Sequence, residues 1–375
     1  MKFPVTRSLR PVRLALPVAA ALTALGGGLA TAAPSGHGPA AVRATAAVRP
    51  GSAQHLSWHA LALDSGWKSV STASLKTGRP GWALRDGVIY LRGAVKQTNP
   101  SAGDAFATLP AAARPPHDIY RIAYSSQETP AEVYVGHSGK MAALGGNSTA
   151  FTSLAAISYP TAAIRTHPLA LKNGWQSDQP IFGTGNPAYA VSHGVVYLSG
   201  SLHGGTSQVA FTLPEAARPA HQMYVLVYTL DDTFGWLRLL PAGQVEIGGL
   251  SSSGYTSLAG ISFPVAGTAW HRFKPEAGWH SGASRFGTAN PSYAAVNGVV
   301  YLDGSIYQSG GSTGLWTQVP APARAADVLE IEVYTADGTA GAVAMADNAG
   351  LVASVPFSDA QQFTSLAGIA YPPSS

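Results

Sequence analysis

The chain has 375 residues, with 23 Lys and Arg against 19 Asp and Glu, and no cysteine. Without cysteine there is no thiolate catalysis, no iron–sulfur cluster and no cysteine-based zinc site. Charged residues make up only 11%, while 42 glycines and 27 prolines interrupt apolar runs. That composition predicts turn-rich β-structure.

Lys2, Arg7, Arg10 and Arg13 precede the apolar run LALPVAAALTALGGGLA, and Ala30-Thr31-Ala32 supplies small residues for cleavage. The pattern predicts a secretory signal peptide over 1–32 and a secreted, extracellular protein. Removing it takes away four basic residues and leaves 19 of each sign. That balance predicts no nucleic-acid partner. No later run reaches the ~20 apolar residues that span a bilayer, so no membrane insertion is expected. Residues 33–55, rich in Ala, Pro and Gly without period, read as a disordered linker.

A phrase then occurs three times: GVIYLRG at 87–93, GVVYLSG at 194–200 and GVVYLDG at 298–304, at offsets of 107 and 104. Gly-Trp pairs keep step at Trp67, Trp175 and Trp279, and FTSLAAISYP, YTSLAGISFP and FTSLAGIAYP close each unit. A period of about 105 exceeds that of solenoid repeats, roughly 20–50 residues, and matches a small β-sandwich of about 100. The expected fold is all-β, with three tandem β-sandwich repeats over 56–160, 161–264 and 265–375.

Within each unit a turn at Asp86-Gly87, His193-Gly194 or Asn297-Gly298 makes the phrase the second strand of a hairpin. Alternation places Ile89 and Leu91, Val196 and Leu198, and Val300 and Leu302 on a core face. The opposite face carries Tyr90, Tyr197 and Tyr301, beside Arg92, Ser199 and Asp303. Six to eight strands per unit are expected, with a turn near LPEAARP.

The motifs NGW, NPAYAV, GVVYLSGSL, FTLPEAARP and YTSLAGISFP resemble the C-terminal β-module of bacteriophage tail-fibre and baseplate minor structural proteins. The likeness covers nearly everything after residue 56, three times over. It implies β-sandwiches that trimerise and present loops to host glycans. Here one chain supplies three modules joined by short segments, so a single-chain pseudo-trimer, a monomer in solution, is expected; the strand face places Tyr90, Tyr197 and Tyr301 at its interface, with Arg92 able to pair with Asp303 across units, and the alternative is three beads on a string with each tyrosine packed inside its own unit. The export signal and the Ala/Arg-rich, Lys-poor composition suggest a secreted protein of actinobacterial type.

The chemistry-bearing residues point to binding rather than catalysis. Gly310-Gly311-Ser312-Thr313-Gly314 fits G-x-S-x-G, but the last histidine, His280, precedes it. Carboxylates near one another, Asp231 with Asp232, Glu128 with Glu132 and Glu330 with Glu332, do not recur and read as solvated surface groups. Histidines align at His59, His167 and His271, and His117 and His221 align with Asp327; the sequence alone leaves open whether these sets meet. No metal, cofactor or catalytic residue is assigned. Trp236 and Trp316, in segments that look like loops, are the candidate sugar-stacking platforms, with Asp231 and Asp232 as their polar neighbours. The expected function is non-enzymatic recognition of a cell-surface or matrix glycan. The alternatives are an adhesive scaffold with a protein partner and a hydrolase.

Overall fold

Asp86-Gly87, His193-Gly194 and Asn297-Gly298 all have positive φ. Two left-handed residues in succession make a two-residue hairpin loop whose twist matches that of its strands. The registers Arg85↔Val88, Ser192↔Val195 and Val296↔Val299 follow from it. These are features of a computed structural model that describes residues 56–375 apart from 74, 277, 311–313, 346–350, 355–357 and 375. The predicted signal peptide, the linker 33–55 and Ser312 lie outside the described residues.

Each repeated phrase forms an inner strand of a four-stranded antiparallel sheet. In the first repeat the order is His59–Ala60, Gly81–Arg85, Val88–Arg92, Ser158–Pro160, and the other two repeats match it strand for strand. The closing glycines Gly93, Gly200 and Gly304 explain why the phrase ends as it does. Their φ values are 85, 82 and 93, and a Cβ on Gly200 would stand 2.4 Å from the Asn186 carbonyl. At this corner the chain leaves one sheet and enters another, so only glycine fits. The next strand, Ala94–Gln97, pairs with Trp67–Ser69 and Thr152–Ser153. A meander follows, with spatial order Ala105–Thr108, Lys140–Leu144, Pro130–Val135, Ile119–Tyr124. In the second repeat these two parts join in one seven-stranded sheet. The fold is all-β, antiparallel and sandwich-like.

Eleven strand segments fall in each repeat among the described residues, more than the six to eight expected. The glycine corners divide runs that read as continuous in sequence. The LP corners become single turns of 3-10 helix at Ala111–Ala113, Glu215–Ala217 and Ala321–Ala323. Each is tied back by the arginine that follows: Arg114, Arg218 and Arg324 donate from Nε to the carbonyls of Leu109, Leu213 and Val319.

Three apolar cores form, one from each repeat, and Trp67, Trp175 and Trp279 are buried in them. Each core also takes an alanine from another repeat. Ala156 of the first joins the third core, Ala259 of the second joins the first, and Ala367 of the third joins the second. The contacts therefore close in a ring. A fourth cluster gathers Tyr90, Tyr197 and Tyr301 with Val88, Val195 and Val299, and the three phenol groups hydrogen-bond one another. The strands Ile119–Tyr124, Met223–Thr229 and Leu329–Tyr334 touch pairwise in the same way. Residues 56–375 accordingly hold together as one compact unit.

Arg92 does not meet Asp303. Its guanidinium lies 3.7 Å from Asp327 and 4.4 Å over the Trp58 ring. Asp303 is buried at a glycine corner, where it accepts the Gly304 N–H at 2.7 Å. The position that varies along the tyrosine face is thus filled three different ways.

Candidate ligand-binding cleft

The sheet faces turned away from the three cores carry the polar chemistry. In the first repeat, alternation puts Tyr120, Glu132, Tyr134, Ala142 and Leu144 on one such face. Together with Asp104 and Lys140 they line a cleft of about 420 Å³. The Tyr120 and Tyr134 rings lie 5.2 Å apart, tilted by 55°. Both remain partly exposed. Tyr134 donates from its hydroxyl to Asp118 at 2.9 Å. That carboxylate also accepts the His137 backbone N–H at 2.8 Å and pairs with its ring Nδ1 at 2.6 Å. The Tyr134 ring is thereby fixed in orientation.

Glu132 is only 5% exposed. The reading of Glu132 as a solvated surface group is therefore corrected, and so is that of Glu332, 9% exposed. Both stand on strands, Pro130–Val135 and Leu329–Tyr334, on faces that are covered rather than open to water. Burial pushes the Glu132 carboxyl up to about 7; a hydrogen bond from Tyr228 opposes this, while the Asp232 charge and a hydrogen bond to Asp232 add to it. Tyr228 and Asp232 belong to the second repeat, so the Glu132 carboxyl is met from across a repeat boundary.

The sequence-predicted site residues separate. Asp231 and Asp232 form an exposed turn with φ of 58 and 56, and only Asp232 reaches Glu132. Trp236 is not in a loop. It stands in the strand Thr233–Leu239, between Leu226 and Gly248, at the position corresponding to Glu132. Its half-buried ring lies over Gly248 and meets Tyr334 of the third repeat edge-on at 6.5 Å. Beside it Arg238 pairs with Glu246 at 3.2 Å and lies over Tyr224 at 5.9 Å. Trp316 is 0% exposed and edge-on to Phe273 at 5.4 Å, so the stacking-platform reading of Trp316 is corrected. It is a core residue. Its strand Leu315–Gln318 aligns with AFAT, which places Phe106 at the same point, and with VAFT, which places Ala210 there, one residue before Phe211. That alignment was a sequence signal, hidden by the glycine-rich run before it.

The aligned histidines stay apart. His59, His167 and His271 each stack on an aromatic ring of their own repeat, Trp82, Tyr189 and Tyr293, at 4.5, 5.4 and 5.1 Å. Among the described residues no group of three His, Asp or Glu side chains is placed to hold a metal. No described helix is long and apolar enough to cross a membrane.

A pH dependence follows from Glu132 and Asp303, both pushed up to about 7, from ordinary values of 4.5 and 3.8, with burial the main cause. A folded state that holds protons more tightly than the unfolded chain loses stability as pH rises. The loss should begin above about pH 4 and be complete a little above pH 7, at about 3–4 kcal/mol for each group. Glu132→Gln and Asp303→Asn should each flatten part of the slope, measured by urea unfolding from pH 4 to 8. An unchanged slope in both variants would show that other groups set it.

The cleft sets two partly exposed tyrosine rings beside the Glu132 carboxyl, with Asp104 and Lys140 at its side. Searches of protein-family models, of curated proteins and of solved structures find no match to this chain.

Proposed function

We propose that residues 56–375 are three tandem β-sandwich repeats closed as a single-chain pseudo-trimer, tail-fibre-like in plan, in a secreted, non-enzymatic protein that binds surface or matrix carbohydrate. What supports the arrangement is the ring of exchanged alanines and the meeting of Tyr90, Tyr197 and Tyr301. What carries the function is the cleft, in which partly exposed tyrosine rings stand beside a buried carboxyl whose pKa is raised by burial. Sugar rings present apolar C–H faces and a rim of hydroxyls, and this pairing of surfaces suits them. Asp232 lies near enough to Glu132 to push its carboxyl up. Glycosidase carboxyls stand about 5–9.5 Å apart, with substrate or water between them. The pair therefore favours binding over hydrolysis. Trp236, with Arg238 and Tyr224, forms a corresponding aromatic and polar group on the second repeat.

The full chain without residues 1–32 should bind at least one neutral oligosaccharide on a mixed array. Tyr134→Ala should weaken that binding by about 1–2 kcal/mol, the range for one aromatic contact, with the circular-dichroism spectrum unchanged. An array with no bound glycan, or full affinity in Tyr134→Ala, would sink the reading.

A further inference from the structure

The outward face that bears the tyrosine cleft recurs in all three repeats, and at one point its chemistry changes. Strand register puts Glu132 opposite Ile122, Trp236 opposite Leu226 and Ala342 opposite Glu332. The corresponding point therefore carries a carboxyl in the first repeat, an indole in the second and a methyl in the third. Only the first repeat places a charge-bearing group there.

A carboxyl so placed calls for a counter-charge. The groups that meet Glu132 are Tyr228 and Asp232, a phenol and a second carboxyl, and neither brings a positive charge. Among the described residues neither Glu132 nor Asp232 takes part in an ion pair. Lys140, the ammonium in the cleft wall, stands at the far end. It begins the strand Lys140–Leu144, and it is Leu144 that lies opposite Glu132. Four residues of strand, about 13 Å, separate Lys140 from that row. Asp232 stands at the near end: a Cβ on Gly145, next to Leu144, would lie 3.1 Å from Asp232 Cγ. Tyrosine rings gather on the same side, Tyr120 lying 5.2 Å from Tyr134 and 5.8 Å from Tyr228, centre to centre. Aromatic ring faces are negative and attract an ammonium group, as carboxylates do.

We propose that this end of the cleft holds an ammonium group, and that the preferred ligand is a sugar with a free amine, its ring on Tyr134 and its nitrogen beside Glu132. The proposal rests on the carbohydrate reading above and narrows it to amino sugars. A sugar without the amine still has the tyrosine rings to lie on, and binds more weakly. An ammonium beside Glu132 favours the ionised carboxyl and opposes the burial that raises it. A metal ion is the poorer occupant, since among the described residues no third His, Asp or Glu joins such a pair. The cleft volume, about 420 Å³, lies within the range of small-molecule sites, about 300–1,000 Å³.

Calorimetry on the full chain without residues 1–32 tests it. The probes are the tetrasaccharide of glucosamine, its fully N-acetylated form and cellotetraose, with tetralysine and calcium chloride as controls. All are used at equal ionic strength and at a pH where the sugar amine is protonated. The free amine should bind about tenfold or more tightly than the N-acetylated form, as for one hydrogen bond to a charged group. In Glu132→Gln that ratio should fall to about one, and in Asp232→Asn part of the way. A ratio of affinities within one variant does not depend on how much of it folds. Asp232 stands on an exposed turn at φ 56, a conformation that asparagine adopts readily. Equal or tighter binding of the N-acetylated form, a ratio unchanged in both variants, tetralysine bound as tightly as the amino sugar, or calcium binding that Glu132→Gln abolishes would each overturn the proposal. Sugars bound without preference for the amine would overturn it and leave the carbohydrate reading standing, whereas no binding of any sugar would sink both.

Discussion

Tyr197→Ala is expected to destabilise the whole of residues 56–375 by about 3–5 kcal/mol, the range for truncating a buried aromatic ring. Tyr197 is 4% exposed, and its ring lies among residues of all three repeats. Its removal opens a void at the point where they meet, and the hydroxyls of Tyr90 and Tyr301 lose a partner. Tyr197→Phe keeps the ring and should cost only about 1–2 kcal/mol, the penalty of an unpaired buried hydroxyl. Urea unfolding gives both numbers. Small-angle scattering on the same samples reads whether the repeats come apart. A Tyr197→Ala loss below about 1 kcal/mol, with an elongated wild-type particle, would mean that the tyrosine cluster does not join the repeats.

Trp316→Ala should be as severe, about 3–5 kcal/mol, but without any change in the carbohydrate affinity of the folded fraction. The ring is fully buried against Phe273 and sits among Val319, Leu329 and Ile331. Trp316→Phe should be nearly neutral, within about 1 kcal/mol. The lost ring volume is offset by removal of an indole N–H that is buried without a partner among the described residues. Phe106, buried at the corresponding place of the first repeat, shows that phenylalanine fits there. A carbohydrate affinity that falls in Trp316→Phe while stability holds would restore the platform role.

Local chemistry made much of the architecture legible. Asp86-Gly87 and Asn297-Gly298 required left-handed residues, and that requirement is local to the turn. The alternation of Val196 and Leu198 against Tyr197 is equally local, and those two aliphatic residues lie in the core as expected. The three-fold repetition carried the position of each gly-tryptophan pair, and all three tryptophans are buried.

The candidate cleft was far less legible. Glu132 and Trp236 occupy one structural position, yet the hairpins that hold them differ in sequence and in polarity, so no motif aligned them. The burial of Trp316 was hidden by the glycine-rich run before it, although strand register places it with Phe106 and Ala210, both buried.

By itself the sequence determined strand, turn and core face, since each depends on residues a few positions apart. Only the tertiary structure decided which outward faces are covered. Whether Glu132 meets water or Asp232, and whether Arg92 meets Asp303 or Asp327, depends on side chains about a hundred residues or more apart in the chain. Those pairings are set by how repeats pack, and no local periodicity encodes them.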